Sequence, residues 1–390
     1  AEVRGVVVGH HRELQLFDAL FGDGRANETS AEFRHEVDGV GRHFVGRNGQ
    51  GKTNIVEALD YLSRLASHRV SSDLPLIKHG SEQAIIRAAV VRDGRTAILE
   101  IAILPGKSNK ARINRGQLPR AKDLLGLVRT VVFAPDDLAL VKGDPSERRR
   151  FADDLRVLQG PRFAGVRSDY DRVLKQRNSL LKTARTRGLT PDALSTLDVW
   201  DQNLARLGAE IMAARVKLVA DLNPLVGRAY EAVARGASRD DASIKYKPSF
   251  DTEAAEQNEL EQAMLDQLAA RRADELARGV SLVGPHRDDL VCWLGQFPVK
   301  GYASHGEGWS FALALRLASY DLLRFDGDDP ILVLDDVFAE LDSGRRNQLA
   351  EYVAKAEQVL ITAAVAEDIP EALRGRRMIV ADGEVRPDHD

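Results

Sequence analysis

Short apolar runs bounded by turn-forming residues predict β-strands in the first part of the chain, at 3–8, 84–91, 96–104 and 130–133. Between two of these runs, Arg92-Asp93-Gly94-Arg95 has the composition of a hairpin turn. A short, half-polar run at 42–45 enters a glycine-rich segment, and apolar residues at helical spacing follow it over 54–67. Strands mixed with a helix predict an α/β architecture for this part of the chain.

The middle of the chain changes to patterns that predict long helices. Asp144 and Pro145 suit an N-cap and a first helical position. Apolar residues then recur at helical spacing over 163–181, 204–225 and 260–276, and a polar stretch at about 236–256 precedes the last of these. This region is therefore predicted to be an α-helical insertion or arm.

Strand patterns return towards the end of the chain. A short run at 290–294 precedes a helix predicted over 311–323. A fully apolar run at 331–334 and a run at 358–361 that is apolar after Gln358 are typical of buried strands in a parallel sheet. The predicted fold class is α/β, with a helical lobe inserted into one core. Its predicted segments are an α/β lobe over 1–144, the helical lobe over 145–279 and the rest of the core over 280–390.

Composition limits the class of protein. With 390 residues, 44% of them hydrophobic and 29% charged, the chain is typical of a soluble globular protein of two or three domains. No run approaches the roughly 18 apolar residues of a membrane span, and the first residues lack the apolar core of a signal peptide. Cys292 is the only cysteine, and the histidines lack zinc-binding spacing. We therefore expect a cytoplasmic protein without a membrane partner.

The charged residues are unevenly distributed. The formal net charge is −4, from 55 basic and 59 acidic residues, which by itself argues against nucleic-acid binding. Yet no acid lies between Glu100 and Asp123, where six basic residues stand: Lys107, Lys110, Arg112, Arg115, Arg120 and Lys122. Because few aromatic residues accompany them, contact with duplex DNA phosphates is favoured over base stacking. Lys107, Lys110, Arg112 and Arg115 are candidate DNA contacts, with a solvated charged hairpin as the alternative.

The strongest local signal is Gly46-Arg47-Asn48-Gly49-Gln50-Gly51-Lys52-Thr53, which fits the P-loop pattern G-x-x-x-x-G-K-[ST]. Its glycines let backbone N–H groups converge on phosphate oxygens, and the helix that starts there adds the positive end of its dipole. Lys52 is expected to reach the β- and γ-phosphates of ATP, and the Thr53 hydroxyl to bind Mg²⁺. A chance glycine-rich turn is the alternative.

A second acidic motif stands near the other end of the chain. Four apolar residues at 331–334 lead to Asp335 and Asp336, as in a Walker B strand. Asp335 is predicted to hold Mg²⁺ through water, and Asp336 to orient or deprotonate the water that attacks the γ-phosphate. Two acids at a strand end can also cap the next helix. Together with the P-loop they favour nucleotide chemistry, with a large insertion between two halves of one ATPase core.

Two further motifs resemble those of ABC-class ATPases. Ser304-His305-Gly306-Glu307-Gly308 is similar to the ABC signature, which grips the γ-phosphate bound by another subunit. Taken alone, this segment reads more simply as a serine-capped helix. Ala339-Glu340-Leu341-Asp342 stands where the D-loop crosses to the partner. Ser304, Gly306, Glu307 and Asp342 are therefore predicted ATP contacts across a dimer.

Several segments together resemble the RecF family, bacterial recombination-repair ATPases related to the heads of Rad50 and SMC proteins. The most specific is Gly284-Pro285-His286-Arg287-Asp288-Asp289, which is similar to the family's G-P-H-R-D-D motif. The segments 109–114, 133–150, 302–307 and 334–342 are also similar. The resemblance covers about 46–379 and is nearest to actinobacterial members. It implies an ABC-type P-loop ATPase head with an inserted α-helical lobe.

The resemblance also implies a function. Two copies of the chain, joined by ATP, are expected to clamp duplex DNA near single-strand gaps until slow, DNA-stimulated ATP hydrolysis releases them. RecO and RecR are the implied partners, leading to RecA loading in recombinational repair, replication restart and the SOS response. The alternatives are the ATPase subunit of a transporter and a P-loop phosphotransferase.

Three features depart from the expected pattern. Residues 1–45 do not match the family's opening strands, so the contacts to the nucleotide base stay unassigned. No glutamine stands at 133–138, where many ABC ATPases have their Q-loop, and Asp136 or Asp137 either replaces it or caps a helix. Thr362 stands where transporter ATPases usually carry a switch histidine, which disfavours a transporter.

Two groups of charged residues have open roles. His286 and Arg287 either face the nucleotide or DNA, or form a structural network with Asp288 or Asp289. The run 148–150, three arginines, either adds a basic surface or packs on the core and pairs with Asp153 or Asp154.

Overall fold

The computed structural model describes residues 2–9, 41–70, 72–92, 95–187, 191–235, 239, 241–325, 327, 329–373 and 375–388. The chain divides into two compact units. The first comprises Ala1–Asp137, Ala229–Gly236 and Ala312–Asp390, and the second comprises Leu138–Arg228 and Ala237–Phe311. The second unit therefore contains 280–311, which the sequence pattern assigns to the core.

The described residues form runs of strands and runs of helices. The strands are β1 Glu2–Gly9, β2 Gly41–Val45, β3 Ala84–Arg92, β4 Arg95–Ile103, β5 Lys110–Ile113, β6 Gly116–Gln117, β7 Thr130–Phe133, β8 Ala242–Lys247, β9 Asp289–Leu294, β10 Phe297–Pro298, β11 Ile331–Asp335, β12 Val359–Ala363, β13 Gly375–Ala381 and β14 Glu384–Pro387. The helices are α1 Lys52–Arg64, α2 Leu138–Lys142, α3 Pro145–Gln159, α4 Phe163–Arg187, α5 Pro191–Val233, α6 Gln257–Arg278, the short turn α7 Val299–Tyr302, α8 His305–Phe325 and α9 Ser343–Val353.

A six-stranded sheet in the first unit carries both nucleotide motifs. Its order is β14-β13-β2-β12-β11-β7, and only the β13–β14 pair is antiparallel. All residues of β7, β11 and β12 are buried, as expected for apolar runs in the middle of a parallel sheet. Because β12 lies between β2 and β11, the P-loop and the Walker B acids follow two strands that share one neighbour.

A second sheet of the first unit is antiparallel, in the order β1-β3-β4-β5-β6. β3 and β4 form the predicted hairpin with Arg92 opposite Arg95, while turn residues 93–94 lie outside the described residues. β5 and β6 are joined by Asn114 and Arg115, whose φ angles of +47° and +71° suit a tight two-residue hairpin loop.

Helix α1 contributes to an apolar core with strands of both sheets. Leu59 and Leu62 of α1 belong to one buried cluster with Ile101 of β4 and Val333 of β11. The helix ends at Arg64 because Leu65 adopts a left-handed conformation, with φ +55°, and its N–H bonds to the Tyr61 carbonyl oxygen at 2.7 Å. The helix therefore ends three residues before residue 67, the end of the predicted range 54–67.

The second unit combines helices with a three-stranded antiparallel sheet, β10-β9-β8. Two features of this unit were not predicted from the sequence. The polar stretch at 236–256 contains strand β8, whose Ala242 and Ile244 are buried while Lys245 is exposed. The strand at 290–294 exists, but β9 pairs with β8 and β10 and is not part of the ATPase sheet. An apolar run predicts a strand without revealing its partner strands.

Helix α8 begins at His305, six residues before the predicted start. Gly306 and Gly308 in its first turn are poor helix formers and obscure this start in the sequence. Among the helices of the described residues, none is long and apolar enough to cross a membrane.

Candidate nucleotide site and nucleic-acid surface

The P-loop connects the end of β2 to the start of α1. Gly46 lies so close to β13 that a Cβ built on it would be 2.1 Å from the Val380 carbonyl oxygen. Gly49 and Gly51 have φ angles of +81° and +100°, a region that favours glycine. Each glycine of the motif therefore has a local structural reason.

Lys52 is the first residue of α1 and is 4% exposed. Its Nζ donates a hydrogen bond to the Gly46 carbonyl oxygen at 2.8 Å and lies 3.9 Å from Asp336 Oδ2. Longer contacts join it to the Arg47 carbonyl oxygen at 3.4 Å and Asn48 Oδ1 at 3.5 Å. The fold thus brings the P-loop lysine and the second predicted Walker B acid together.

The turn between β13 and β14 supports the P-loop from the side. The Gln50 side-chain oxygen accepts a hydrogen bond from the Asp382 N–H at 2.6 Å, and its carbonyl oxygen accepts one from the Gly383 N–H at 3.3 Å. Asp382 and Gly383 both have positive φ angles, +53° and +78°. Gln50 therefore has an observed structural contact in addition to its predicted place at the phosphates.

The two Walker B acids share a partner, Thr362 of β12. Asp335 is 3% exposed, and its Oδ1 accepts a hydrogen bond from the Thr362 hydroxyl at 2.6 Å. Burial raises the pKa of Asp335; the Thr362 hydrogen bond opposes this effect, and the neighbouring Asp336 adds to it. Asp336 has a φ of +52°, and its N–H donates to Thr362 Oγ1 at 2.9 Å.

The oxygen atoms at this site fit a magnesium ion that is bound mainly by nucleotide and water. No cluster of three or more His, Cys, Asp or Glu side chains suited to a metal occurs in the described part of the chain. Mg²⁺ in nucleotide sites needs only one or two protein oxygens, because phosphates and water supply the others. Thr53 is half-buried beside Lys52, and Asp335 uses only Oδ1 for Thr362. Thr53 and Asp335 are therefore suitable ligands by chemistry.

Ser304 caps helix α8. The Glu307 N–H donates to Ser304 Oγ at 3.2 Å, and the Ser304 N–H donates to Glu307 Oε2 at 2.8 Å, which is a capping box. Arg239 donates to both Glu307 oxygens at 2.7 and 2.8 Å. Burial acts to raise the pKa of Glu307, but the hydrogen bonds from Ser304 and Arg239 outweigh it and lower the pKa. The predicted contacts of Ser304, Gly306 and Glu307 with a partner's ATP stay predictions.

Asp342 is the N-cap of α9. Its carboxylate accepts a hydrogen bond from the Arg345 N–H at 2.9 Å and contacts the Arg345 guanidinium at 3.1 Å. These contacts lower the pKa of Asp342. Its side chain is 59% exposed, so a second copy of the chain has access to the predicted D-loop residue.

The basic cluster lies on and around the β5–β6 hairpin, and all six of its side chains are exposed. Arg112 contacts Glu100 at 3.2 Å, and Arg120 contacts Asp123 at 3.1 Å. Lys110 and Arg115 have no acidic partner within the part of the chain that the structure describes; nor do Lys107 and Lys122. These four are the more available cations of the cluster.

His286 and Arg287 face other residues of the second unit. His286 Nδ1 lies 2.7 Å from the Tyr170 hydroxyl, and its Nε2 is 3.3 Å from the Ser281 carbonyl oxygen. Arg287 donates to the same carbonyl oxygen at 3.1 and 3.3 Å. Burial lowers the pKa of His286 to about 4, with a smaller contribution from nearby arginines.

The arginine–aspartate network expected at this motif exists, but Arg148 rather than Arg287 supplies the arginine. Arg148 is buried and donates to both Asp289 oxygens, at 2.8 and 3.0 Å. Arg149 donates to the Asp288 carbonyl oxygen at 2.8 Å. The motif is therefore joined to the start of α3 by two arginines.

The expected pairing of the arginine run with Asp153 or Asp154 is found for one residue. Arg150 lies 3.7 Å from Asp154 Oδ2. Asp153 instead binds Arg215 of α5, which donates to both its oxygens at 2.8 and 2.9 Å. The sequence carries no signal for Arg215, because α5 is distant in the chain.

Asp137, at the position of a Q-loop, has two partners in the first unit. It accepts a hydrogen bond from the Ala134 N–H at 3.0 Å and one from Arg316 of α8 at 2.5 Å. Asp137 is buried, whereas Asp136 is exposed. Asp137 therefore has structural partners, and both alternatives for this segment, a Q-loop substitute and a helix cap, stay predictions.

Sequence reasoning missed the residues that hold the predicted ones in place. Thr362 was recognised only as a substitute for a histidine, and Arg239 and Arg316 were not singled out. Each acts over a long sequence separation, 27 residues for the Thr362–Asp335 bond and 179 for Arg316–Asp137. The one usable signal for Thr362 is a hydroxyl within an otherwise apolar strand run.

Known proteins match most of the chain. The family model described as "RecF/RecN/SMC N terminal domain" matches residues 26–384. A protein of Nocardioides sp. named "DNA replication and repair protein RecF" is 61% identical, and the match covers 88% of this chain and 93% of that protein. A protein of the same name from Streptomyces avermitilis is 59% identical over 88% of this chain and 92% of its own length.

Solved structures agree with these matches. A structure of the recombination mediator protein RecF with ATP in the RecFOR pathway has a TM-score of 0.81 and 26% identity. The match covers 90% of this chain and 92% of that one. A second structure of that mediator protein has a TM-score of 0.79 and 26% identity.

Proposed function

The chain belongs to the RecF family, and from this premise we propose that it is a DNA-repair ATPase whose ATP-bound copies pair and clamp duplex DNA near single-strand gaps. Slow hydrolysis of ATP to ADP and phosphate, stimulated by DNA, then opens the clamp. The relatives' names and the ATP in a solved RecF structure support this proposal. So does one observation in this chain: Lys52 Nζ lies 3.9 Å from Asp336 Oδ2, although the two residues stand at opposite ends of the sequence.

ATP is proposed to bind at 46–53. The loop's N–H groups and the N-terminus of α1 face the phosphates, and Lys52 exchanges its carbonyl partners for β- and γ-phosphate oxygens. Mg²⁺, held by Thr53 and Asp335, would neutralise phosphate charge. Asp336 accepts a proton from the attacking water, whose oxygen bonds to the γ-phosphorus as the bond to ADP breaks.

The second half of each site is proposed to come from another copy of the chain. Ser304 and Gly306, at the N-terminus of α8, are suited to a γ-phosphate because the positive end of the helix dipole attracts anions. Glu307 fixes this helix end through its bonds to Ser304. Asp342 is exposed and so is available for contact with another copy of the chain. ATP therefore joins two incomplete sites.

DNA is proposed to contact the hairpin surface formed by Lys107, Lys110, Arg112 and Arg115. These side chains are exposed, and phosphate contact needs only positive charge at the right spacing. The RecFOR pathway of the similar solved structure supports RecO and RecR as partners that dock on the DNA-bound dimer and lead to RecA loading. The proposed location is the cytoplasm, where the chromosome is.

Phosphate release tests this function against the two alternatives. We expect release to rise with gapped or duplex DNA and to be insensitive to small hydroxyl acceptors or to a membrane permease. Lys52→Ala, which removes the phosphate-binding amine, should abolish release. Transfer of phosphate to a small acceptor would instead favour a phosphotransferase, and activation by a permease would favour a transporter subunit.

The DNA surface has its own test. Replacing Lys110 and Arg115 by Gln removes two cations that lack an acidic partner, and should lower the slope of log K against log salt by about 1 for each phosphate that is no longer neutralised. Arg120→Gln, at a residue already paired with Asp123, is the matched control and should change the slope less. An unchanged slope in the double variant would remove the hairpin from the interface.

A further inference from the structure

Thr362 occupies a central position between the two nucleotide motifs. It lies on β12, which pairs with the P-loop strand β2 on one side and with the Walker B strand β11 on the other. It is 1% exposed. Its hydroxyl donates to Asp335 Oδ1 at 2.6 Å and accepts from the Asp336 N–H at 2.9 Å, so one oxygen atom joins both acids.

These two bonds have different consequences for the acids. The bond to Asp335 selects one rotamer of a buried carboxylate and leaves Oδ2 for other ligands. The bond from the Asp336 N–H holds a residue whose φ of +52° is unfavourable for a side chain larger than glycine. The Thr362 carbonyl oxygen adds a longer bond to the same N–H at 3.3 Å. Thr362 therefore determines where both carboxylates stand.

We propose that Thr362 is a positioning residue for ATP hydrolysis, which sets Asp335 for metal binding and Asp336 for proton acceptance through its single hydroxyl. The inference rests on the proposed function, and goes beyond it by assigning a role to a side chain outside the P-loop and the Walker B motif. Because the bonds run through the hydroxyl, its methyl group is not required for this role. Binding of ATP, which depends on the P-loop, should be independent of Thr362.

Thr130 provides a matched control in the same sheet. It is a buried threonine of β7, 2% exposed, and its hydroxyl donates to the buried carboxylate of Asp60 at 3.0 Å. Thr130→Val therefore makes the same chemical change next to a buried aspartate, but away from Asp335 and Asp336. A purely structural effect of removing a buried hydroxyl should appear equally in both variants.

The experiment compares Thr362→Val, Thr362→Ser and Thr130→Val in single-turnover phosphate release, ATP binding and magnesium titration. For Thr362→Val we expect the single-turnover rate constant to fall about 10- to 100-fold, the factor that matches removal of one hydrogen bond to a charged group. The magnesium concentration for half-maximal rate should rise, while ATP affinity stays near that of the wild type. Thr362→Ser should restore most of the rate, and Thr130→Val should keep it.

Several results would overturn the inference. They are a wild-type rate for Thr362→Val, an equal loss for Thr362→Ser, or an equal loss for Thr130→Val. If Thr362→Val does not fold, Thr362→Ala removes the hydroxyl without adding a methyl group, and the comparison with Ser stays decisive. Lys52→Ala distinguishes a failure of the proposed ATPase function from a failure of the role assigned to Thr362. If that variant also releases phosphate at the wild-type rate, the proposed function fails, whereas an inactive Lys52→Ala beside a fully active Thr362→Val contradicts only the role of Thr362.

Discussion

Acidification should destabilise the second unit through His286. Burial lowers the pKa of this side chain to about 4, against 6.5 for an ordinary histidine. Between these values the unfolded chain binds the proton and the folded chain does not. The free energy of unfolding therefore falls as the pH drops from about 6.5 towards 4.

The magnitude follows from the two pKa values. At about pH 5.5 the unfolded histidine is mostly protonated while the folded one is mostly neutral, so lowering the pH from about 7.5 to 5.5 should cost about 1.4 kcal/mol through this residue. The contacts agree with a neutral ring, because the Tyr170 hydroxyl can donate to Nδ1 while the Nε2–H faces the Ser281 carbonyl oxygen. The pKa of His286 is lowered further by three nearby positive charges, those of Arg149, Arg177 and Arg287.

Guanidinium unfolding of the wild type and His286→Asn at both pH values isolates this effect. The Asn side chain keeps an acceptor for Tyr170 but does not titrate, so the variant should lose about 1.4 kcal/mol less on acidification than the wild type. His79→Asn, at an exposed histidine, is the matched control. Equal pH dependence in the wild type and His286→Asn would exclude a contribution from His286, since the other titrating groups are common to both.

Three further substitutions test the packing of the two units, two in the first unit and one in the second. Gly46→Ala places a Cβ 2.1 Å from the Val380 carbonyl oxygen and should lower both Tm and ATP affinity. At Gly49 no atom lies within 4 Å of an added Cβ. Gly49→Ala should therefore lower the free energy of unfolding, measured by thermal unfolding, by only about 1–2 kcal/mol through backbone strain. Arg177→Met removes a fully buried guanidinium and leaves Glu275 without its partner at 2.6 Å, so denaturant unfolding should show a loss of about 3–5 kcal/mol. Equal losses of stability for Gly46→Ala and Gly49→Ala would contradict the close packing of Gly46 against Val380. A loss of unfolding free energy below about 1 kcal/mol for Arg177→Met would contradict the importance of the buried Arg177–Glu275 pair.

The parts of the fold that depend on local chain order were predictable from the sequence. The P-loop is recognisable because its glycines and lysine are consecutive, and β11 because an apolar run ends in two acids. The RecF resemblance and the fold class of an ABC-type ATPase head with an inserted helical lobe are confirmed by the family match and the structural likeness. The assigned roles of the site residues stay predictions.

Contacts between distant segments were not predictable in the same way. The pairing of β8 with β9 has no local signal, since the residues of β8 lie in a stretch that is polar on average. The same holds for the bonds of Thr362 to Asp335 and of Arg148 to Asp289, which depend on how strands and helices pack. The departure of 1–45 from the family pattern falls mostly on 10–40, outside the described residues.

Sedimentation velocity of Asp336→Asn shows whether ATP joins two copies of the chain into a clamp. With ATP and Mg²⁺ the variant should sediment as a dimer that stays on duplex DNA, because it binds ATP without hydrolysing it. With ADP it should be a monomer, as should Lys52→Ala with ATP. An Asp336→Asn protein that binds ATP but stays monomeric with duplex DNA present would contradict the clamp.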